Sequence, residues 1–414
     1  MVKSSTRGQN LISLTSNNRS LIVRLLLQNG SCSRTELAKE TTLTQAAITK
    51  IIDRLIKFGL VEEHGFRQGK RGRSAIMLRI NTDRFLMISV KFSCSSYDIG
   101  LYNLGGNREF PIAHYTYDPD LSPAQTIDRI EESINAISAR HQGIIAAGIA
   151  APSGFIARLI ACGRVLPEPA HDSIYHSVVQ SKCSFPVLIG HDSKIGAAAE
   201  WWYQNNVSQN LVFLTLDAGV GASVICDGNI LRGSAGYAGE IGHISIDYQG
   251  RTCPCSPGAR GCIEQYCSVS AFLRDVREEL TQHSSCLSVL NEITLPAVFQ
   301  AADTGDVFAV SMIKKLGFFC GLAIVSILHA YNPDQIIISG ALSAAGDTLM
   351  KAIHETLLER MHPSHLQALD ISFSQLKDDP VLLGASTMAL EWFLENLTND
   401  YLRENNAQLP IQRK

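Results

Sequence analysis

The sequence predicts an α/β protein in which an N-terminal winged helix-turn-helix precedes a two-lobed body with a metal-binding loop. Charge is distributed unequally along the chain: residues 1–80 carry 14 Lys and Arg against 5 Asp and Glu, whereas the remaining 334 residues carry 22 against 34. The basic segment has two capped helices, and the acidic segment alternates strands with helices. A basic block of domain size on an acidic body is typical of a nucleic-acid-binding module joined to a second domain.

Composition excludes several classes of protein. The 414 residues are 45% hydrophobic and 18% charged, unlike disordered, collagen-like or disulfide-scaffold chains. The longest apolar stretch, Leu316 to Ala330, is interrupted by Gly321 and Ser326 and is shorter than the ~20 residues of a membrane span. We therefore expect a buried helix there. The first ten residues lack the features of an export signal, which predicts a cytoplasmic protein in a reducing compartment.

Capping residues define the predicted helix-turn-helix. A first helix ends at Asn29-Gly30, and Ser33 begins a short second helix with Glu36 completing a capping box. After a three-residue turn, Thr44 begins a third helix. Its apolar residues follow the i, i+3, i+4, i+7 spacing of a single buried stripe: Ile48, Ile51, Ile52 and Leu55.

A wing follows, and with it the segment becomes a predicted DNA-binding module. Two strands, Leu60 to Glu63 and Ala75 to Ile80, enclose a basic, Gly-rich tip. In this fold the N-terminal residues of the last helix enter the major groove, where base edges require donors and acceptors at fixed positions. Phosphates require only positive charge. A helical hairpin in a core is the alternative, but the caps, the wing and the charge together favour DNA. The candidate DNA-binding residues are Gln45, Ala46, Thr49, Lys50, Arg54, Arg67, Lys70, Arg71 and Arg73.

The body reads as two successive α/β blocks, so we expect two lobes with a ligand site formed by their loops. The predicted organisation is a flexible arm at 1–17, the winged helix at 18–81 and a first lobe at 82–192, completed by a helix at about 380–398. A second lobe at 193–379 carries the metal loop and oligomerisation helices, and a polar tail occupies 403–414.

Three of the 11 cysteines stand apart from the rest. Cys253, Cys255 and Cys262 lie in a Gly/Pro-rich loop after His243, in the pattern H-x9-C-x-C-x6-C. Three thiolates and one imidazole are the ligand set of a closed, tetrahedral structural zinc site. A disulfide or a redox switch would be the alternatives, and a reducing compartment disfavours the disulfide.

Carboxylates flank this loop on both sides. Glu240 precedes His243, and Glu264 follows Cys262. Carboxylates accept paired hydrogen bonds from vicinal hydroxyls, so their position beside a metal-fixed loop indicates a polyhydroxylated ligand. Asp192 ends another predicted strand, at the edge where open α/β sheets bind ligands.

At these residues the sequence resembles the ROK family of repressors, open reading frames and sugar kinases, and its repressor branch in particular. The resemblance covers essentially the whole chain and rests on R-T-E-L-A in the basic module, Pro152-Ser153-Gly154, Asp192, and the motifs around Glu240 and the cysteines. It implies two actin-like (ribonuclease-H-like) lobes with a sugar between them and a structural zinc held by His243, Cys253, Cys255 and Cys262. The implied sugar-binding residues are Gly154, His191, Asp192, Glu240, His243 and Glu264.

The chain departs from the family's kinases at both phosphate loops. Lys91 and Ser93 lie where the first loop carries Asp-x-Gly-x-Thr, and Asp217-Ala218 lies where the second reads Gly-Thr. A carboxylate facing a polyphosphate is repulsive, so we expect no phosphoryl transfer. His191 replaces the usual Asn beside the catalytic Asp, so the sugar specificity of the kinases cannot be carried over to this chain. Two extra residues between Cys255 and Cys262, compared with the common spacing, make the cysteine loop larger.

These features predict a sugar-responsive transcriptional regulator, expected to repress genes of carbohydrate uptake or catabolism. Its expected partners are a double-stranded pseudo-palindromic operator, a sugar or sugar-phosphate effector, and further copies in a homodimer or tetramer. One alternative is an ATP-dependent sugar kinase with a DNA-binding arm. Another is a regulator controlled by a protein partner, such as a membrane sugar transporter, with a vestigial sugar site.

Overall fold

The computed structural model describes residues 11–68, 74–93, 96–118, 120–165, 176–204, 208–234 and 236–396. The chain divides into two compact units. The first comprises Met1–Asn205 and Pro380–Lys414, and the second comprises Asn206–Asp379. The predicted wing-tip residues Lys70, Arg71 and Arg73 and the predicted tail at 403–414 lie outside the described residues.

The winged helix-turn-helix is confirmed. It consists of α1 (Leu11–Asn29), β1 (Cys32–Ser33), α2 (Arg34–Thr41), α3 (Gln45–Phe58), β2 (Val61–Gln68) and β3 (Ser74–Ile80), with sheet order β1-β3-β2. Ser33 and Glu36 form the predicted capping box, and Thr44 accepts a hydrogen bond from the backbone N of Ala47. The apolar stripe of α3 is buried as the spacing predicts. Strand β2 extends five residues beyond Glu63.

The first lobe contains a mixed sheet of order β6-β5-β4-β7-β9-β8. Its elements are β4 (Leu86–Phe92), β5 (Ser96–Asn103), β6 (Ala113–Thr116), α4 (Pro123–Ser138), β7 (Ile144–Ala151), α5 (Ser153–Ala161), β8 (His176–Val178), β9 (Val187–His191) and α6 (Asp192–Tyr203). Strands β4, β7 and β9 run parallel, so the loops after β7 and β9 lie at one edge.

The second unit repeats this strand pattern in a sheet of order β12-β11-β10-β13-β14. Its strands are β10 (Leu211–Leu216), β11 (Val220–Cys226), β12 (Asn229–Ile230), β13 (Gln335–Ser339) and β14 (Asp370–Phe373). In each sheet, the first three strands in chain order pair antiparallel with one another. Parallel strands then add to the other side of the first strand, which is β4 in one sheet and β10 in the other, as in ribonuclease-H-like lobes. Its helices are α7 (Glu264–Cys267), α8 (Val269–Leu280), α9 (Leu295–Asp303), α10 (Val307–Tyr331), α11 (Gly346–Arg360) and α12 (Pro363–Leu366).

Helix α10 is the predicted buried apolar helix. By length and composition it could cross a membrane, but 56% of its most apolar window is buried inside the protein. Gly317 and Gly321 face α11, where added Cβ atoms would collide with Ala352 and Thr356. The two glycines therefore permit a close helix-helix contact within the core of the second unit.

The last helix, α13 (Pro380–Glu395), returns to the first unit. A Cβ at Gly384 would collide with the carbonyl oxygen of Ile195, and a Cβ at Gly148 would collide with that of Ala385. Helix α13 is thus packed closely between α6 and β7.

Two predicted boundaries are corrected by the structure. Helix α1 begins at Leu11, so residues 11–17 are helical and do not belong to an arm. The second unit begins at Asn206 rather than at residue 193, because α6 packs against α13 and belongs to the first unit. The winged helix packs directly on the first lobe, since Ile22, Leu26 and Ile52 share one hydrophobic cluster with Phe85, Trp202 and Phe393.

Candidate functional site

The N-terminal half of α3 presents the predicted base-reading residues to solvent. Gln45, Ala46, Thr49 and Lys50 are all exposed, on the side opposite the buried stripe. Arg54 differs from them: it is half-buried, and its charge acts on the buried Arg19, whose pKa is lowered by burial and by this neighbouring guanidinium. Of the five candidates on α3, Gln45, Ala46, Thr49 and Lys50 are therefore the exposed ones.

The wing is joined to the helices by ion pairs. Arg67 lies 3.0 Å from Glu36, so the capping carboxylate of α2 also holds strand β2. Arg34 contacts Asp53 of α3 at 3.2 Å and Glu63 of β2 at 3.4 Å. Arg67, predicted to bind DNA, thus also has a partner within the domain, and the role of Arg34 was not predicted, because charge alone does not show which elements pair.

The structure brings the four predicted metal ligands together. The ligand atoms of His243, Cys253, Cys255 and Cys262 all lie within 4.8 Å of one another. The Sγ atoms of Cys255 and Cys262 are 4.0 Å apart. A tetrahedral zinc ion with Zn–S bonds of about 2.3 Å holds its ligand atoms roughly 3.5 to 4 Å apart. The cluster could thus hold a metal ion with little adjustment of the side chains.

Backbone contacts in the loop bring these ligands into place. Short bridges pair Ser245 with Cys262 and Thr252 with Arg260, so the loop folds back on itself. Gly261 adopts a φ of +62°, and a Cβ there would collide with the carbonyl oxygen of Asp247. The loop is also attached to α8, where Arg251 contacts Glu278 at 2.7 Å and Asp275 at 3.2 Å.

The thiol pKa values reflect the close packing of the three cysteines. Burial and the neighbouring Cys253 raise the pKa of Cys262 to about 12, and burial and Cys253 likewise raise that of Cys255. Although burial opposes it, hydrogen bonds from Cys255 lower the pKa of Cys253. One thiolate therefore suppresses ionisation of the next, and three thiolates together require a compensating positive charge such as a divalent metal.

Glu240 and Glu264 of the second unit each contact residues near this loop. Glu240 Oε2 lies 3.7 Å from His243 Nε2. Glu264 Oε2 accepts a hydrogen bond of 3.1 Å from the backbone N of Val220. A Cβ at Gly242 would collide with the carbonyl oxygen of the same Val220, so the turn that carries Glu240 and His243 packs on this strand end. Both carboxylates retain solvent access.

The candidate residues of the first unit follow two neighbouring parallel strands. Ala151 at the end of β7 pairs in register with His191 at the end of β9. Gly154 lies in the first turn of α5, and Asp192 is the first residue of α6, so each follows one of these strands. Asp192 Oδ1 accepts a hydrogen bond of 2.6 Å from the backbone N of Ser193 and lies 3.8 Å from His191 Nδ1. A carboxylate at a helix N-terminus is stabilised by the helix dipole.

The residues that depart from the kinase phosphate loops lie at the ends of two strands. Asp217 Oδ1 accepts a hydrogen bond from the backbone N of Ala218, which holds the carboxylate within the turn between β10 and β11. Lys91 is part of strand β4, paired in register with Asp98, and Ser93 follows the strand. The first segment, residues 91–95, contains no glycine, whereas the second has Asp217-Ala218 followed by Gly219 and Gly221.

Comparison with known proteins assigns the family. The ROK family profile matches residues 103–391. The chain belongs to the ROK family. A second profile, that of the MarR family, matches residues 16–63 within the winged helix. The fold and the DNA-binding module predicted from the sequence are therefore confirmed.

Relatives of this ROK chain include both repressors and a kinase. The xylose repressor of Caldicellulosiruptor bescii is 28% identical over 90% of this chain and 95% of its own length. A glucokinase of Halalkalibacterium halodurans is 29% identical over 68% of this chain and 85% of its own. The crystal structure of a ROK transcriptional regulator, a homologue of the E. coli MLC protein, shares 27% identity with a TM-score of 0.71. The match covers 93% of this chain and 98% of the chain in that crystal structure.

Proposed function

We propose that this ROK protein is a sugar-responsive repressor of genes for carbohydrate uptake or catabolism. The observation that carries the proposal is that a winged helix with exposed polar residues on α3 precedes the ROK body. A xylose repressor matches both parts over 95% of its length. The glucokinase, in contrast, matches 68% of this chain. The protein would act as a homodimer or tetramer on a pseudo-palindromic operator in the cytoplasm.

The proposed effector is a sugar or sugar phosphate. In the first unit, Gly154, His191 and Asp192 lie at adjacent strand ends. In the second, Glu264 accepts a hydrogen bond from Val220 at the start of β11, and the turn that carries Glu240 and His243 packs on the same residue. These residues supply carboxylate acceptors and imidazole nitrogens, which suit the hydroxyl groups of a monosaccharide. Effector binding would shift the population of operator-binding conformations.

The proposed cofactor is a structural zinc ion on His243, Cys253, Cys255 and Cys262. The Cys3His donor set matches closed structural sites and leaves no position for a reacting water. When bound, the metal supplies charge compensation for the three thiolates and a rigid loop. Since one ring nitrogen of His243 faces Glu240, the other can bind the ion, and the loop then orients Glu240.

A thermal-shift screen tests the effector directly. D-xylose, D-glucose, N-acetylglucosamine and the 6-phosphates of the last two sugars are added separately to the purified full chain. We expect one of them to raise the melting temperature and to weaken binding to DNA selected by the protein from a random pool. Replacing Asp192 with Asn should abolish the shift. Absence of any shift, with DNA binding intact, would instead support control by a protein partner.

A further inference from the structure

The last turn of α6 is bound by the first helix of the winged helix. Gln28 Nε2 donates to the backbone oxygens of Trp201 and Gln204, at 3.2 Å each. These carbonyls lie at the C-terminal end of α6, where carbonyl groups lack partners within the helix. One half-buried side chain of α1 therefore caps a helix of the sugar-binding lobe.

A second contact lies one helical turn earlier on the same face of α1. The guanidinium of Arg24 lies over the ring of Trp201, 4.7 Å from its centroid. Its positive charge is also near the negative end of the α6 dipole. Nearer the N-terminus of α1, Arg19 Nη2 donates a hydrogen bond of 3.3 Å to the backbone oxygen of Glu395 at the end of α13.

The opposite end of α6 carries the proposed effector residue. Asp192 is the first residue of this helix, and Trp201 lies in its last turn. Twelve residues of α-helix span about 18 Å. Helix α6 is continuous from Asp192 to Tyr203 and packs closely against α13 at Gly384. Helix α1 in turn shares a hydrophobic cluster with α3, the helix proposed to read DNA.

We propose that Gln28 and Arg24 are positioning residues that couple α6, and so the effector contact at Asp192, to the orientation of the winged helix. This inference rests on the proposed function. Engagement of Asp192 by sugar hydroxyls displaces or rotates α6. Gln28 moves with the carbonyl groups of the last turn that it binds, and Arg24 moves with the ring of Trp201. Since α1 and α3 are packed together, the recognition helix turns with them. Neither positioning residue contacts DNA in this scheme.

The test compares Gln28→Ala, Arg24→Ala and the charge-retaining Arg24→Lys with the wild-type full chain. Controls are Arg129→Ala, an exposed arginine of α4, and Gln282→Ala, an exposed glutamine of the second unit. Affinity for the selected operator is measured without sugar and with D-xylose, D-glucose or N-acetylglucosamine. We expect the sugar-dependent change to fall from roughly 5- to 150-fold in the wild type to below about 2-fold in the two alanine variants. Arg24→Lys should retain part of it, and both controls should respond as the wild type does.

Hydrogen exchange of the sugar-free proteins provides a readout that does not depend on the effector. Loss of the cap should accelerate amide exchange in the last turn of α6 in Gln28→Ala, with the amides of α8 unchanged. Unchanged exchange in α6, or a full sugar response in both alanine variants, would overturn the inference. A wild type that binds operator but ignores every sugar, while Gln28→Ala accelerates α6 exchange, would refute the proposed effector function and, with it, the coupling role.

Discussion

His243 Nε2 lies 3.7 Å from Glu240 Oε2, and His243 is also one of the four clustered residues that could hold a metal ion. One imidazole thus connects the metal loop to a carboxylate proposed to bind the effector. A side chain with two such partners has little rotational freedom, as is common for metal-bound histidines. The position of Glu240 therefore depends on the integrity of the loop.

Loss of the cysteines should remove both metal and sugar response. Without Cys253 and Cys255, two of the four ligands are missing and the loop loses its cross-link, so Cys253→Ser/Cys255→Ser should bind no zinc. Metal analysis by mass spectrometry and the thermal-shift screen measure the two effects. Cys226→Ser, which replaces an exposed thiol outside the cluster, is the matched control. A metal-free double variant that still responds to sugar would contradict the proposed role of the loop.

Lys50 should contribute to DNA affinity through a phosphate or base contact. Lys50→Ala should weaken operator binding by about 1–3 kcal/mol if it reads a base. If it contacts phosphate, the slope of log K against log salt should fall by about 1. Lys351→Ala, an exposed lysine of the second unit, should leave both quantities unchanged. Titrations by fluorescence anisotropy at several salt concentrations distinguish the outcomes. Identical titrations for Lys50→Ala and wild type would exclude α3 as the reading helix in this region.

Glu391 makes the stability of the first unit dependent on pH. Trp202 Nε1 donates to its carboxyl at 2.6 Å, and burial raises the pKa of Glu391 to about 8 from an ordinary value of 4.5. The folded state therefore retains a proton that the unfolded chain loses. This stabilisation is complete below pH 4.5 and is lost as the pH rises through 8, with a slope of at most about 1.4 kcal/mol per pH unit.

Glu391→Gln tests this dependence because glutamine keeps a hydrogen-bond acceptor but has no titrating proton. Urea unfolding between pH 5 and about 9 should show a flatter stability profile for the variant than for the wild type, with the difference growing towards high pH. Glu132→Gln on the exposed surface of α4 controls for the loss of one carboxyl group. Parallel profiles for the wild type and Glu391→Gln would show that this carboxyl is not protonated in the folded protein.

The chain should not transfer phosphate. Asp217 places a carboxylate in the loop that would approach a polyphosphate, and the first loop lacks the carboxylate that positions a metal in the kinases. ATP-dependent phosphorylation of D-glucose, D-xylose and N-acetylglucosamine should remain at the background rate in a coupled assay. Turnover near 1 s⁻¹, the low end of ordinary enzymes, would instead assign the protein to the kinases of the family.

Local signals in the sequence were sufficient for several parts of this protein. The caps at Ser33 and Thr44 and the apolar stripe of α3 depend on neighbours within one or two turns, so their spacing predicts them directly. The metal ligands were also predictable, because Cys and His in that spacing have few other uses in a reducing compartment.

Contacts between distant segments were decided only by the tertiary structure. Helix α6 belongs to the first unit because it packs on Gly384, nearly two hundred residues later in the chain. The hydrogen bonds from Gln28 to α6 form only because α1 packs beside that helix. Arg67 illustrates the same limit, since its partner Glu36 lies on another element. Periodicity and capping report interactions along the chain, whereas docking depends on complementary surfaces formed after the elements have folded. The sequence by itself therefore determined the DNA-binding module, the Cys and His cluster that could hold a metal, and the family. The tertiary structure determined how the module is joined to the first lobe.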